Sequence, residues 1–254
     1  MIVAVTNQKG GVGKTTTTVN VAAALAFAGQ RVLIVDSDPQ AHSTKSVVRE
    51  PNKLEYSLYD VLINPKVHIK DIIARSIVPG LDAAVSRISM AKIEPALIGQ
   101  IDSHYRLKDI LEPIRRKYDY IFIDTPPTLG LITLNALVAS THILIPLQSS
   151  YLCLEGTDDL LETIEKVRKV ANPHLQILGV LITLHDSRTN IARDVVDRIH
   201  RVFGDKVFKT FISKSVKIEE SPAYKETIFT YAAHSVGALQ YKQVAEEILS
   251  RAKN

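Results

Sequence analysis

The stretch Gln8-Lys9-Gly10-Gly11-Val12-Gly13-Lys14-Thr15 constrains this chain more than any other part of it. Residues 2–6 before it form a short apolar run that predicts a strand. Residues 16–28 after it, rich in Ala, Val and Leu, predict a helix. A glycine loop between a strand and a helix N-terminus is the context that a phosphate-binding loop requires. Glycines let successive backbone N–H groups turn toward one anion, and the helix N-terminus adds partial positive charge. Gly10, Gly11, Val12, Gly13 and Thr16 are therefore expected to cradle phosphates. Lys14 would reach the β- and γ-phosphates, and the Thr15 hydroxyl would take Mg²⁺. Lys9 is the unusual member. A glycine turn alone has a structural explanation, but two lysines flanking Gly-Gly-Val-Gly at a helix mouth are hard to explain by packing.

Two later strands end in acids. Arg31-Val32-Leu33-Ile34-Val35-Asp36 has the unbroken branched run of a buried parallel strand and leads into Ser37-Asp38-Pro39-Gln40. Tyr120-Ile121-Phe122-Ile123-Asp124 leads into Thr125-Pro126-Pro127. Ligands of doubly wound sheets sit at the carboxyl ends of strands. Asp38 then belongs near the attacking water, and Asp124, in a Walker B arrangement, near Mg²⁺. The plain alternative for both is a strand that ends in an Asp-rich turn. Residues 128–135 would form a switch segment that senses a γ-phosphate.

Further strands are expected at 81–85, 142–147, 177–183 and 207–212. A short helix is expected around Leu58, Val61 and Leu62, and two more between 88 and 118, where Arg115-Arg116-Lys117 would close a helix end. Residues 154–170 should bury Leu160, Leu161, Ile164 and Val167. Residues 236–252 should bury Leu239, Val244, Ile248 and Leu249. Strands alternating with helices, without a linker or repeat, predict an α/β fold: one doubly wound, mostly parallel sheet flanked by helices, a single domain over 1–254.

Composition sets limits. The chain has 254 residues, of which 46% are hydrophobic, enough for a sizeable core. No apolar run approaches a membrane span, and with Met1 directly before the first strand no signal peptide is expected. The single cysteine, Cys153, excludes a disulfide framework and a Cys-pair metal site and is expected to pack in the interior. A formal charge of +4 permits nucleic-acid binding without requiring it.

The loop Gln-Lys-Gly-Gly-Val-Gly-Lys-Thr resembles the deviant Walker A of the MinD/ParA group of P-loop ATPases. Asp36-Ser37-Asp38-Pro39-Gln40 and Asp124-Thr125-Pro126-Pro127 resemble the corresponding ParA/Soj motifs, although the usual Gly-Asn after the first is here Ala41-His42. The resemblance implies that Lys9 crosses to the nucleotide of a second subunit in an ATP-bound homodimer, while Lys14 acts in cis and Asp38 orients the hydrolytic water. A cation supplied in trans can stabilise a transferring phosphoryl group as an arginine finger does.

Within that group, a single cysteine argues against a cluster-carrying iron protein. The C-terminal stretch, with adjacent Glu246 and Glu247 and no aromatic residue after Tyr241, argues against a lipid-binding anchor. The stretch containing Arg188, and Lys214 and Lys217 before Glu219-Glu220-Ser221-Pro222, resemble ParA/Soj positions that meet the DNA backbone. Ser213 and Ser215 fall where relatives approach the adenine. The resemblance therefore implies ATP and Mg²⁺ as cofactors, non-specific double-stranded DNA and a ParB-like centromere-binding protein as partners, and a cytoplasmic, nucleoid-associated location. No N-terminal helix-turn-helix domain is expected. A MinD-like membrane-associated regulator, a positioning ATPase for non-DNA cargo and a metabolic ligase remain alternatives, as does the reading of these cations as ordinary surface charge.

Overall fold

The branched aliphatic runs form buried strands. A computed structural model describes residues 1–150 and 157–252, so Cys153 and the expected helix start at Leu154 lie outside the described residues. The strands are β1 (Ile2–Val5), β2 (Val32–Asp36), β3 (Ile73–Arg75), β4 (Leu81–Ala84), β5 (Tyr120–Asp124), β6 (His142–Gln148) and β7 (Gln176–Thr183). They form one sheet in the order β3-β4-β2-β5-β1-β6-β7. All pairings are parallel except β3–β4. β1, β2 and β5 are buried along their whole length, as expected where helices cover both faces.

The helices are α1 (Lys14–Phe27), α2 (His42–Val47), α3 (Leu58–Ile63), α4 (Ile93–Leu97), α5 (Arg106–Leu111), α6 (Leu131–Ala139), α7 (Thr157–Val170), α8 (Asn190–Phe203), α9 (Val216–Glu220), α10 (Ile228–Tyr231) and α11 (Val236–Arg251). Helix α1 packs against α11, β2 and β5 and is buried over most of its surface, which explains its Ala-rich composition. It ends in a Schellman turn. Gly29 takes φ +84°, its N–H donates to the Ala26 carbonyl, and Gln30 N–H reaches the Leu25 carbonyl.

Several expectations need correction. Residues 207–212 do not form a strand. Phe208 N–H donates to the Val180 carbonyl and Ile212 N–H to the Ile182 carbonyl, so four steps of this segment span two of β7 and the chain bows outward. Between those points, Lys209 and Thr210 donate their N–H groups to the two carboxylate oxygens of Glu247, each at 2.9 Å. A side chain from α11 thus replaces the ladder. Leu239 is not in the core but 57% exposed; Ala238, Tyr241, Val244, Ala245 and Ile248 carry the buried face of α11. Position 239 lies across the helix from the i, i+3, i+4, i+7 stripe through Tyr241. Residues 115–117 form a 3₁₀ turn rather than an α-helical end. The antiparallel edge strand β3 and the short helix α2 carried no sequence signal.

Candidate active site: a phosphate loop with two lysines

Every strand that points at the site ends there for a local reason. β1 leads through Thr6 and Asn7 into the glycine loop. Gly11 and Gly13 take φ values of +73° and +80°, and Gly13 is the N-cap of α1. A side chain at either position would sit in a region that L-residues rarely adopt. The loop is pinned to its neighbours. Asn7 donates through Nδ2 to the Pro146 carbonyl at 2.7 Å and accepts Lys9 N–H through Oδ1 at 2.9 Å. Thr183 Oγ1, at the end of β7, donates to the Val12 carbonyl at 2.9 Å.

Lys14 is buried and its Nζ donates to the Lys9 carbonyl across the loop at 2.7 Å. Burial lowers its pKa, and the charges of Asp124 and Asp38 act against that. The Lys9 ammonium makes no hydrogen bond or ion pair among the described residues.

Asp36 and Asp124 are register partners across β2 and β5, and both are fully buried. Burial pushes both carboxyls above the usual range, and the charge of Asp124 pushes Asp36 further. Each is supplied with donors. Asp124 accepts from Ser43 Oγ at 2.6 Å, from Thr18 Oγ1 at 3.4 Å and from the Thr15 side chain. Asp36 accepts Thr44 N–H and Thr44 Oγ1, both at 2.7 Å. The acidic pair seen in the sequence therefore divides its work. Asp36 faces away from the cleft and holds α2. Asp38 lines the cleft, and its Oδ1 accepts Gln40 N–H at 2.8 Å.

Between these elements lies a cleft of about 750 Å³. Gly10, Gly11, Gly13, Lys14, Thr15 and Thr16 form its floor, with Asp38, Pro126 and Pro127 at one side. Ser213 and Ser215 line it too, beside Ile212, Ile218, Pro222 and Tyr241. This apolar wall suits a flat base. Ser213 is locked to α11, donating its N–H to Gln240 Oε1 and accepting from Gln240 Nε2 at 2.8 Å. Val12 is buried under the loop rather than in the cleft.

The donor chemistry fits Mg²⁺. Thr15, Asp124 and Ser43 offer hard oxygen atoms, and among the described residues no cluster of three or more His, Cys, Asp or Glu competes as a metal site. Mg²⁺ is typically held by one or two protein oxygens together with phosphates and water.

The cations expected to meet DNA lie on adjoining segments. His185 N–H donates to the Ile212 carbonyl and Lys214 N–H to the His185 carbonyl, which joins the segments carrying Arg188, Lys214 and Lys217. Their electrostatics differ. Arg188 is paired with Asp186 at 2.7 Å, and Lys217 with Glu220 at 3.1 Å over the ring of Tyr231. Lys214 is exposed and has no acidic partner among the described residues.

Sequence reasoning missed Asn7, Ser43, Thr44, Thr183 and Gln240. Each is a common polar residue whose partner lies on another element, and no spacing in the chain links the members of these pairs.

A parallel sheet with a glycine loop at the end of β1, acids at the ends of β2 and β5, and a second lysine within the loop define a P-loop nucleotide hydrolase of the deviant Walker A kind. A family profile described as an AAA domain matches residues 1–177. The chain is 44% identical to the sporulation initiation inhibitor protein Soj of Bacillus subtilis, covering 97% of each. It is 38% identical to the chromosome partitioning protein ParA of Myxococcus xanthus, over 98% of this chain and 88% of that one. A Mycobacterium smegmatis structure described as cobyrinic acid a,c-diamide synthase, with a bound ATP analogue and magnesium, superposes with a TM-score of 0.87 at 35% identity, covering 100% of this chain and 96% of that one. The chain belongs to the ParA/Soj family of chromosome-partitioning ATPases.

Proposed function

We propose that this ATPase is a nucleotide-gated DNA clamp, one P-loop unit over residues 1–254 that closes as a homodimer around ATP. The observation that carries the reading is Lys9, a cation at the mouth of the phosphate loop whose ammonium has no partner among the described residues of its own subunit. A second copy supplies the phosphates it would meet.

The chemistry follows from charge placement. Gly10–Thr16 backbone N–H groups hold the phosphate oxygens. Lys14 binds the β- and γ-phosphates in cis, and Lys9 stabilises the transferring group in trans. Thr15 and Asp124 would hold Mg²⁺, which neutralises charge on the phosphate oxygens. Asp38 orients the attacking water, and positioning with electrostatics carries the rest of the catalysis. Ser213 and Ser215 stand beside the base.

In the dimer, Lys214 leads a non-specific contact with the DNA backbone, with Lys217 and Arg188 released from their carboxylates to join it. Such contacts need charge but no base recognition. A ParB-like centromere-binding protein would stimulate hydrolysis and so release the subunits. The protein would then reside on the nucleoid in the cytoplasm. Among the described residues, no helix is long and apolar enough to cross a membrane.

The test is binding of the Asp38→Ala protein to non-specific duplex DNA with ATP and with ADP over a salt series. Tight, salt-sensitive binding with ATP alone is expected. Equal binding in both nucleotides, or none, overturns the gated clamp.

A further inference from the structure

Helix α6 begins without a cap of its own. Gly130 occupies its N-cap position, offering no side-chain acceptor, and the first turn carries no acid. The acceptor comes from 37 residues upstream: Leu131 N–H donates to Glu94 Oε1 at 2.9 Å. Glu94 lies in the first turn of α4. A carboxylate at this end of a helix satisfies an orphan N–H and opposes the positive end of the helix dipole.

The approach is close. A Cβ at Gly130 would meet Glu94 Oε1 at 2.2 Å, although the Gly130 backbone, at φ −76° and ψ −169°, is open to any residue. A side chain at 130 would therefore push the exposed Glu94 carboxylate off Leu131 N–H, while the backbone conformation at 130 sets no such limit. The 125–130 loop, whose last residues open the 128–135 switch segment, is also bracketed by Asp124 and Leu131. β5 fixes its upstream end at Asp124, and Glu94 fixes its downstream end at Leu131. Between them Pro126 and Pro127 line the nucleotide cleft. Thr133 Oγ1 donates to the Thr128 carbonyl at 2.5 Å and closes the turn.

We propose that Glu94 is a positioning residue for ATP hydrolysis: its cap on α6 sets where the 125–130 segment stands over the phosphate loop. The proposal rests on reading residues 128–135, which begin in that loop, as the γ-phosphate sensor. Glu94 touches no substrate and acts through Gly130 and Leu131. Because Glu94 is solvent-exposed, the bond is a catch that can open and close without disturbing the core.

The test combines Glu94→Ala, Glu94→Gln and Gly130→Ala with three readouts: amide exchange of residues 125–135, ATP affinity and kcat. Glu94→Ala is expected to speed exchange at Leu131 roughly tenfold and to lower kcat about fivefold while ATP affinity stays within about twofold. Gly130→Ala, which displaces the carboxylate, should reproduce both effects, and the double variant should lose nothing more. Glu94→Gln keeps an acceptor and should recover most of kcat. Wild-type kcat in Glu94→Ala, a parallel loss of kcat and affinity, or additive losses in the double variant would each overturn the proposal. If exchange of 125–135 in the wild-type protein is the same with ADP as with ATP, the sensor reading itself fails and the proposal with it.

Discussion

At the scale of single residues, Ala41 shows how a departure from a family motif is accommodated. Where the motif it resembles usually has glycine, this chain has Ala41, and its backbone is left-handed, at φ +54°. Relief of that strain and loss of a buried methyl oppose each other, so Ala41→Gly should fall within about 0.5 kcal/mol of wild type, whereas Ala41→Val should cost about 2 kcal/mol. At an ordinary helical position the order is reversed; urea unfolding of the two variants distinguishes these cases. The buried carboxylates make a second prediction. Asp36 and Asp124 hold a proton more tightly folded than unfolded, so they lose stability as pH rises from their ordinary value, roughly 4, through about 7 for Asp36. Stability measured without Mg²⁺ should therefore fall more steeply with pH in the wild type than in Asp124→Asn over about pH 5–7. Parallel slopes would show that these carboxyls ionise as exposed ones do.

At the scale of elements, the 207–212 segment illustrates why strand propensity is a weak guide at a sheet edge. Its β-branched and aromatic residues favour extension, and it does run beside β7, but Glu247 takes two of its N–H groups and Arg251 donates to the carbonyls of Leu178, Lys206 and Val207. Helix α11 thus finishes the sheet in place of an eighth strand, which also covers an edge that would otherwise invite pairing. Glu247→Ala should destabilise the protein by about 2 kcal/mol, since hydrogen bonds to a charged group contribute about 1.5–3 kcal/mol and one surface of this site is wet. Denaturant titration with an unchanged m-value would check it. Glu247→Gln should lose less, because one acceptor remains.

At the scale of the whole molecule, the two lysines of one loop should part company. Lys14→Ala is expected to lose ATP binding, because Lys14 is buried at the cleft floor. Lys9→Ala should still bind ATP as a monomer but fail to dimerise and to hydrolyse; nucleotide fluorescence and light scattering separate the two. The fold class, the central strands and the phosphate-loop and acidic residues were legible in the sequence. Local chemistry speaks plainly there: glycines at a strand–helix junction, and branched runs that end in acids. Between 49 and 118 the strand at 81–85 and the helices around 58–62 and within 88–118 were legible too, but the β3 edge was not, because it depends on packing rather than periodicity. The chain by itself determined which groups can meet a nucleotide and where along the sheet they emerge. Tertiary structure alone decided that Asp36 serves α2 while Asp38 faces the cleft, that Ser43 and Thr18 hold Asp124, and that Glu94 caps α6. Those are hydrogen bonds between residues far apart in the chain, set by which elements pack together, and no local pattern encodes them.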